Sequence, residues 1–151
     1  MRAPPNFLLT LAAAFSAIAA VLHLACIYFG APWYRAMGAG EGMARLAEAG
    51  SSRPTIATLF IAGVLCVWSL YALSGAGVVR RLPLLRSALV AITAVYLLRG
   101  LAGIPLMFMT TENTVQFWLW SSAICAVFGV VHALGLRQSW GRLASRPSSP
   151  R

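Results

Sequence analysis

The chain has 151 residues, of which 60% are hydrophobic and only 10% are charged. Its mean hydropathy is +0.78, whereas a typical soluble domain carries about a quarter charged residues. Twelve basic and three acidic side chains cannot cover the surface of a soluble core, so the apolar surface must face lipid. The composition therefore excludes an ordinary soluble protein and predicts an all-α integral membrane protein.

Four apolar stretches are long enough to cross a bilayer, which takes roughly 20 mostly apolar residues. The predicted spans are residues 7–29, 54–79, 83–105 and 114–136. Asn6 is a typical N-cap residue, and Pro54 suits a first helical turn. Pro105 predicts that the third span stops or kinks there. Asn113, followed three residues later by Gln116, loosely resembles a capping box.

The four spans form one predicted domain over residues 1–137, a four-transmembrane-helix bundle. Residues 138–151 are polar, basic and proline-bearing, so we expect a disordered tail with too little apolar surface to order itself. The small residues of "SAIAA" resemble a signal-peptidase site, but the apolar run continues to Phe29, beyond a typical h-region. We therefore expect the first span to be retained.

The loop between the first two spans, residues 30–53, has a helical pattern of its own. Glu41, Arg45 and Glu48 recur at helical spacing on one face. Apolar residues lie elsewhere on the same segment, which predicts a short amphipathic helix on the outer membrane surface.

The distribution of arginines predicts the orientation, because short loops rich in basic residues remain in the cytoplasm. If both termini are cytoplasmic, eight arginines lie inside: Arg2, Arg80, Arg81, Arg86, Arg137, Arg142, Arg146 and Arg151. Three lie on the opposite side: Arg35, Arg45 and Arg53. The prediction is an N-in/C-in, multi-pass protein of the cell inner membrane. The net charge of +9 then reflects topology and contact with the lipid bilayer, and we expect no nucleic-acid partner.

Arg99 lies within the third span and is the main candidate for a site. It lies about 24 Å along a helix that rises 1.5 Å per residue, in the outer half of the membrane. An arginine in mid-span costs about 2.5 kcal/mol or more, and snorkelling to the interface is one way to reduce that cost. Because helical side chains tilt toward the N-terminus, Arg99 leans away from the nearer interface. We therefore expect it to face the bundle, beside the first span.

Three residues are predicted to share a pocket with Arg99. His23 of the first span is placed at a similar height, and Tyr96 stands one turn away on the same face. Glu41 is the nearest carboxylate if the outer loop folds over the mouth. The predicted ligand-binding residues are therefore Arg99, His23, Tyr96 and Glu41. His132, by contrast, is placed near the cytoplasmic end, about half a membrane from His23.

No cofactor or metal is expected from this residue set. A haem between helices needs axial ligands at one depth, and zinc needs three or four ligands, whereas the two histidines are placed apart. Three cysteines, at positions 26, 66 and 125, are scattered over three spans without a C-x-x-C motif. There are no paired intramembrane carboxylates, no H-E-x-x-H and no G-x-S-x-G, so no catalytic residue is assigned.

Small residues recur every four positions in two of the spans. In the fourth span they are Ser121, Cys125 and Gly129, and in the first they are Ala12, Ser16 and Ala20. Small residues let membrane helices approach closely, so these faces are predicted to pack against other helices.

Three functional classes remain. The first is binding or transport of a small anion or lipid headgroup at the outer cavity, because the planar fork of arginine suits a phosphate or carboxylate. The second is a structural or assembly subunit, in which Arg99 pairs within the chain or with another helix in a homo- or hetero-oligomer. An intramembrane enzyme ranks third. We take binding as the leading hypothesis.

Reporter fusions should place residues 82 and 145 in the cytoplasm and residues 45 and 112 on the opposite side. The physical basis is the eight-to-three distribution of arginines. Paired fusions, one active only inside and one only outside, measure the side of each position. A cytoplasmic signal at residue 45 would reverse the topology and the predicted depth of Arg99.

Overall fold

The computed structural model describes residues 4–109 and 113–144, and this part of the chain is helical, with no strands. The helices are α1 (Phe7–Phe29), α2 (Ala31–Ala36), α3 (Glu41–Glu48), α4 (Arg53–Ala76), α5 (Leu85–Met109) and α6 (Val115–Ala144). Helices α1, α4, α5 and α6 are long and apolar enough to cross a membrane. The prediction of an all-helical chain with four candidate membrane spans is confirmed.

The four long helices pack as two pairs, and the pairs meet where α1 contacts α6, where α4 contacts α5 and where α4 contacts α6. Helix α1 packs along α4, and α5 packs along α6, while α6 also contacts α1 and α4. Within the described residues the backbones of α1 and α5 do not meet, so these two helices lie diagonally opposite. Helices α2 and α3 connect α1 to α4 at one end of the bundle, which we call the α3 end. The opposite end, with the start of α1 and the end of α6, is the terminal end.

Helices α5 and α6 approach closely because glycines replace side chains in their contact. A Cβ at Gly100 would stand 2.9 Å from the backbone nitrogen of Ala126. A Cβ at Gly103 would collide with the Oγ atom of Ser122, and Gly129 of α6 faces α5 in the same way. Glycine at these positions lets the two backbones pack at van der Waals distance.

Asn6 joins three helices at the terminal end. Its side-chain oxygen accepts a hydrogen bond from the backbone N–H of Leu9 at 2.9 Å, which confirms it as the N-cap of α1. Its side-chain amide donates to Oε1 of Gln138 in α6 at 3.0 Å. Its backbone N–H donates to the carbonyl oxygen of Ala76 in α4 at 2.9 Å. The start of α1 is thereby attached to both α4 and α6.

Two helix ends differ in detail from the sequence prediction. Of the predicted stop or kink at Pro105, the stop is wrong, because helix α5 continues to Met109. A proline removes one backbone donor, whereas ending a helix in lipid would leave several groups unpaired. Helix α6 begins after Thr114, whose Oγ1 accepts from the N–H of Phe117 at 3.2 Å. Thr114 therefore supplies the cap predicted for Asn113.

The end of α6 also differs from the prediction, because the helix continues to Ala144. The first part of the predicted disordered tail is therefore helical, and residues 145–151 lie outside the described residues. The physical reason is tertiary contact: Leu143 packs with leucines of α5, and the guanidinium carbon of Arg86 lies 3.5 Å from the centroid of the Trp140 ring.

Gly100→Ala should destabilise the bundle by about 1–3 kcal/mol, the usual cost of overpacking a close contact. Its methyl group would press on the backbone of Ala126, which cannot rotate away. Gly63→Ala in α4 is the matched control, since nothing lies within 4 Å of a Cβ there and alanine favours a helix. Thermal unfolding in detergent measures both variants. Equal unfolding temperatures would contradict the close α5–α6 contact.

Candidate functional site

The guanidinium of Arg99 lies against α6. Its Nη2 donates to the Oγ of Ser121 at 2.9 Å, and its Cζ lies 5.3 Å from the centroid of the Trp118 ring. This separation falls within the range of a cation–π contact. Helix α6, rather than the predicted α1, supplies these contacts because α6 packs along α5 while α1 lies diagonally opposite. The side chain as a whole is half-buried.

Three polar atoms around this contact have no hydrogen-bond partner among the described residues. They are Nη1 of Arg99, Nε1 of Trp118 and Oγ of Ser122. All three atoms are buried, and Trp118 and Ser122 expose only 9% and 8% of their surface. Leaving a buried polar group unpaired costs about 1–3 kcal/mol, and more for a charged group. The α5–α6 contact thus contains a positive charge and two neutral polar groups, an indole N–H and a hydroxyl, without hydrogen-bond partners among the described residues.

Sequence reasoning missed Trp118 and Ser122. It placed Ser121 on a small-residue face, but the residue that contacts Gly103 is its neighbour, Ser122. The signal that could have found it is the Gly100–Gly103 spacing in α5, since glycines one turn apart mark where a neighbouring helix approaches. Examining the helix that faces those glycines would then have identified Trp118 and Ser122 as site residues.

The other predicted site residues of the spans make separate contacts. Tyr96 is buried, and its hydroxyl shares a 2.9 Å hydrogen bond with the Oγ of Ser16 in α1. The Nδ1 of His23 donates to the carbonyl oxygen of Ala19, one turn earlier in its own helix, at 2.7 Å. In the described part of the chain, no hydrogen bond joins either residue to Arg99.

His132 lies against Tyr96, with 5.1 Å between the ring centroids, and is fully buried. Its Nδ1 donates to the carbonyl oxygen of Phe128 at 2.9 Å. The Nε2 has no hydrogen-bond partner among the described residues. The prediction that His132 lies near an end of the bundle is wrong, because α6 is longer than expected and Tyr96 and His132 meet at one depth.

Glu41 belongs to an exposed ion-pair network in α2 and α3. Its carboxylate accepts from Nε and Nη2 of Arg35 at 2.8 and 2.9 Å, and from Nε of Arg45 at 3.2 Å. Arg35 also donates to Glu48 at 2.7 Å. Hydrogen bonds from Arg35 and then Arg45 lower the pKa of Glu41 to about 2. The carboxylate that was predicted to reach Arg99 is therefore engaged by these two arginines.

The described residues offer no group of three or more His, Cys, Asp or Glu side chains that could hold a metal ion. The three cysteines are free: Cys26 is buried, Cys66 is exposed and Cys125 is half-buried. The chemistry available around Arg99 is therefore hydrogen bonding and charge from the arginine, indole and serine groups.

Arg35→Gln should raise the pKa of Glu41 from about 2 toward the ordinary value of 4.5, because its largest lowering contribution is removed. The pKa in the folded protein lies below the unfolded value. The network therefore stabilises the folded loop above about pH 4.5, and this contribution is lost as the pH falls through about 2. NMR titration of the glutamate side-chain carboxyl carbons measures the pKa. Arg53→Gln, which removes an arginine outside the network, is the control, and an unchanged Glu41 titration in Arg35→Gln would contradict the contact.

No protein-family model matches this chain, and no curated protein or solved structure shows significant similarity to it.

Proposed function

We propose that this chain binds an anionic, oxygen-rich ligand, a phosphate or a carboxylate, between α5 and α6. The observation that carries the proposal is the set of buried donors without partners: Nη1 of Arg99, Nε1 of Trp118 and Oγ of Ser122. A single oxyanion offers enough acceptor lone pairs to bind all three. Hydrogen bonds to a charged group contribute about 1.5–3 kcal/mol each.

The charge distribution favours an anion over a neutral acceptor. The acidic residues of the chain are Glu41, Glu48 and Glu112, and none lies within a candidate membrane span. Glu41 and Glu48 pair with Arg35, and Glu112 lies outside the described residues. The described hydrogen bond and cation–π contact of Arg99 are to the hydroxyl of Ser121 and the ring of Trp118, and neither partner is a carboxylate. A phosphate or carboxylate would neutralise the guanidinium and match its planar fork.

A ligand would enter from the exposed side of Arg99 and displace the Trp118 ring from the guanidinium. The half-buried side chain of Arg99 supports this route, because part of the residue remains exposed beside the buried Nη1 atom. The indole N–H would then turn toward the bound oxygen.

The proposal includes an orientation of the helix bundle across the membrane. With both termini in the cytoplasm of a cell bounded by an inner membrane, the α3 end faces outward and Arg99 lies about 15 Å from the outer end of α5. The arginine distribution supports this orientation. The ligand is then a small anion from the outer side or the headgroup of an outer-leaflet lipid, and either binding or transport would use the same contact.

Arg99→Leu should reduce anion binding at least tenfold, because one charge-assisted hydrogen bond corresponds to about that factor. Arg99→Lys should retain part of the affinity, since it keeps the charge but loses the fork. Trp118→Phe and Ser122→Ala each remove one donor and should weaken binding severalfold. Native mass spectrometry with phosphatidylglycerol measures the lipid ligand, and equilibrium dialysis with inorganic phosphate measures the free anion.

Trp120→Phe and Arg53→Leu are the matched controls, because Trp120 is 65% exposed and Arg53 lies at the α3 end of α4. Neither should change anion binding. If Arg99→Leu leaves binding unchanged and raises the unfolding temperature, the arginine is an uncompensated buried charge and the proposal is wrong. A stable hetero-complex without a retained anion would favour the assembly class instead.

A further inference from the structure

An open groove of about 1110 Å³ lies at the terminal end, between the start of α5 and the end of α6. Most of its wall is apolar, and the aliphatic residues that line it include Leu82, Leu84, Leu85, Val90, Ala91 and Leu143. Arg86 and Trp140 form part of the same wall. The groove lies along the first two turns of α5 and does not include Arg99 or the α6 residues around it, so it is separate from the site proposed above.

The groove is held in shape by the turn between α4 and α5. The Arg81 side chain in this turn donates to the backbone carbonyl oxygens of Arg142 and Leu143. The last carbonyls of a helix lack partners within the helix, so Arg81 attaches the turn to the end of α6. Leu84 has a φ of +50° and is 81% exposed. A left-handed leucine costs conformational energy, yet the turn places its apolar side chain at the open edge of the groove.

Arg86 gives the groove a positive charge. The guanidinium of Arg86 stacks on the Trp140 ring, and within the described residues it makes no ion pair. The sequence contains no acidic residue in positions 49–111 or 113–151. Within the described residues Arg86 therefore has no carboxylate partner, and an anion bound in the groove would supply its counter-charge.

The position of the groove indicates what kind of anion would supply the counter-charge to Arg86. Arg86 lies in the first turn of a candidate membrane span, α5, and Trp140 lies near the end of another, α6. Arginine and tryptophan at span ends occupy the headgroup level of a bilayer. An apolar wall that begins at this level and continues along α5 fits a fatty-acyl chain, whereas a soluble anion would gain nothing from it.

We propose that this groove binds one anionic phospholipid. The phosphate lies against the guanidinium of Arg86, and the edge of Trp140 contacts the glycerol region. An acyl chain extends over Leu84, Val90 and Ala91. This site needs neither Arg99 nor the function proposed for it.

The test compares phosphatidylglycerol with phosphatidylcholine of the same acyl chains, by native mass spectrometry of the full-length protein. Wild-type protein should retain phosphatidylglycerol preferentially. Arg86→Gln should weaken its binding about fivefold, the factor expected from one basic residue at an anionic surface, and leave phosphatidylcholine unchanged. Arg86→Lys should keep most of the affinity. Arg53→Gln is the control, because Arg53 lies at the α3 end of α4, away from the groove, and it should not alter this binding.

A second measurement locates the lipid without a variant. Phosphatidylglycerol with a photoreactive acyl chain should label peptides that contain Leu84–Ala91 or Trp140–Leu143 in the wild-type protein. Equal retention of the two lipids, labelling confined to other peptides, or displacement of phosphatidylglycerol by inorganic phosphate would each overturn the proposal. Loss of the lipid in Arg99→Leu together with unchanged binding in Arg86→Gln would assign the lipid to the Arg99 site instead.

Discussion

The buried polar groups of this bundle depend on the close contact between α5 and α6. Membrane helices are not driven together by the hydrophobic effect, so close packing and interhelical hydrogen bonds must hold them. Gly100 and Gly103 allow α6 to approach α5 so closely that Ser122 and Trp118 become buried. The same approach encloses Nη1 of Arg99, and neither lipid nor other described residues satisfy it. The unpaired donors are therefore a direct consequence of the small residues that bring the helices together.

Local signals in the sequence predicted the helices well. The start of α1 at Asn6 and the Pro54 turn at the start of α4 match the structure, because caps and first turns depend on a few adjacent residues. The errors occurred at helix ends whose position is determined by contacts distant in sequence or by the surrounding lipid. Helix α5 continues through Pro105 because lipid cannot satisfy a broken backbone, and α6 extends to Ala144 because its last turns pack on α5.

The site was harder to predict than the fold, because depth along one helix does not say which helix lies beside it. Arg99 was placed next to α1, whereas the structure places its guanidinium beside Ser121 of α6. His132 and Tyr96 were assigned different depths, yet their rings lie 5.1 Å apart. These relations depend on how helices pair across the bundle, which hydropathy and charge counts do not contain. Glu41 was misplaced for a simpler reason: Arg35, six residues earlier in sequence, reaches it first.

The contacts of Asn6 tie the assembly of this bundle to the order in which the chain is synthesised. Its cap on α1 uses only Leu9 and can form as soon as the first helix exists. Its amide, however, bonds to Gln138, which the ribosome adds after most of the last helix. Chains fold from the N-terminus while they are being made, so the first helix to enter the membrane keeps an unfilled donor until the last one arrives. A ribosome that stalls before residue 138 would leave the bundle open at this end.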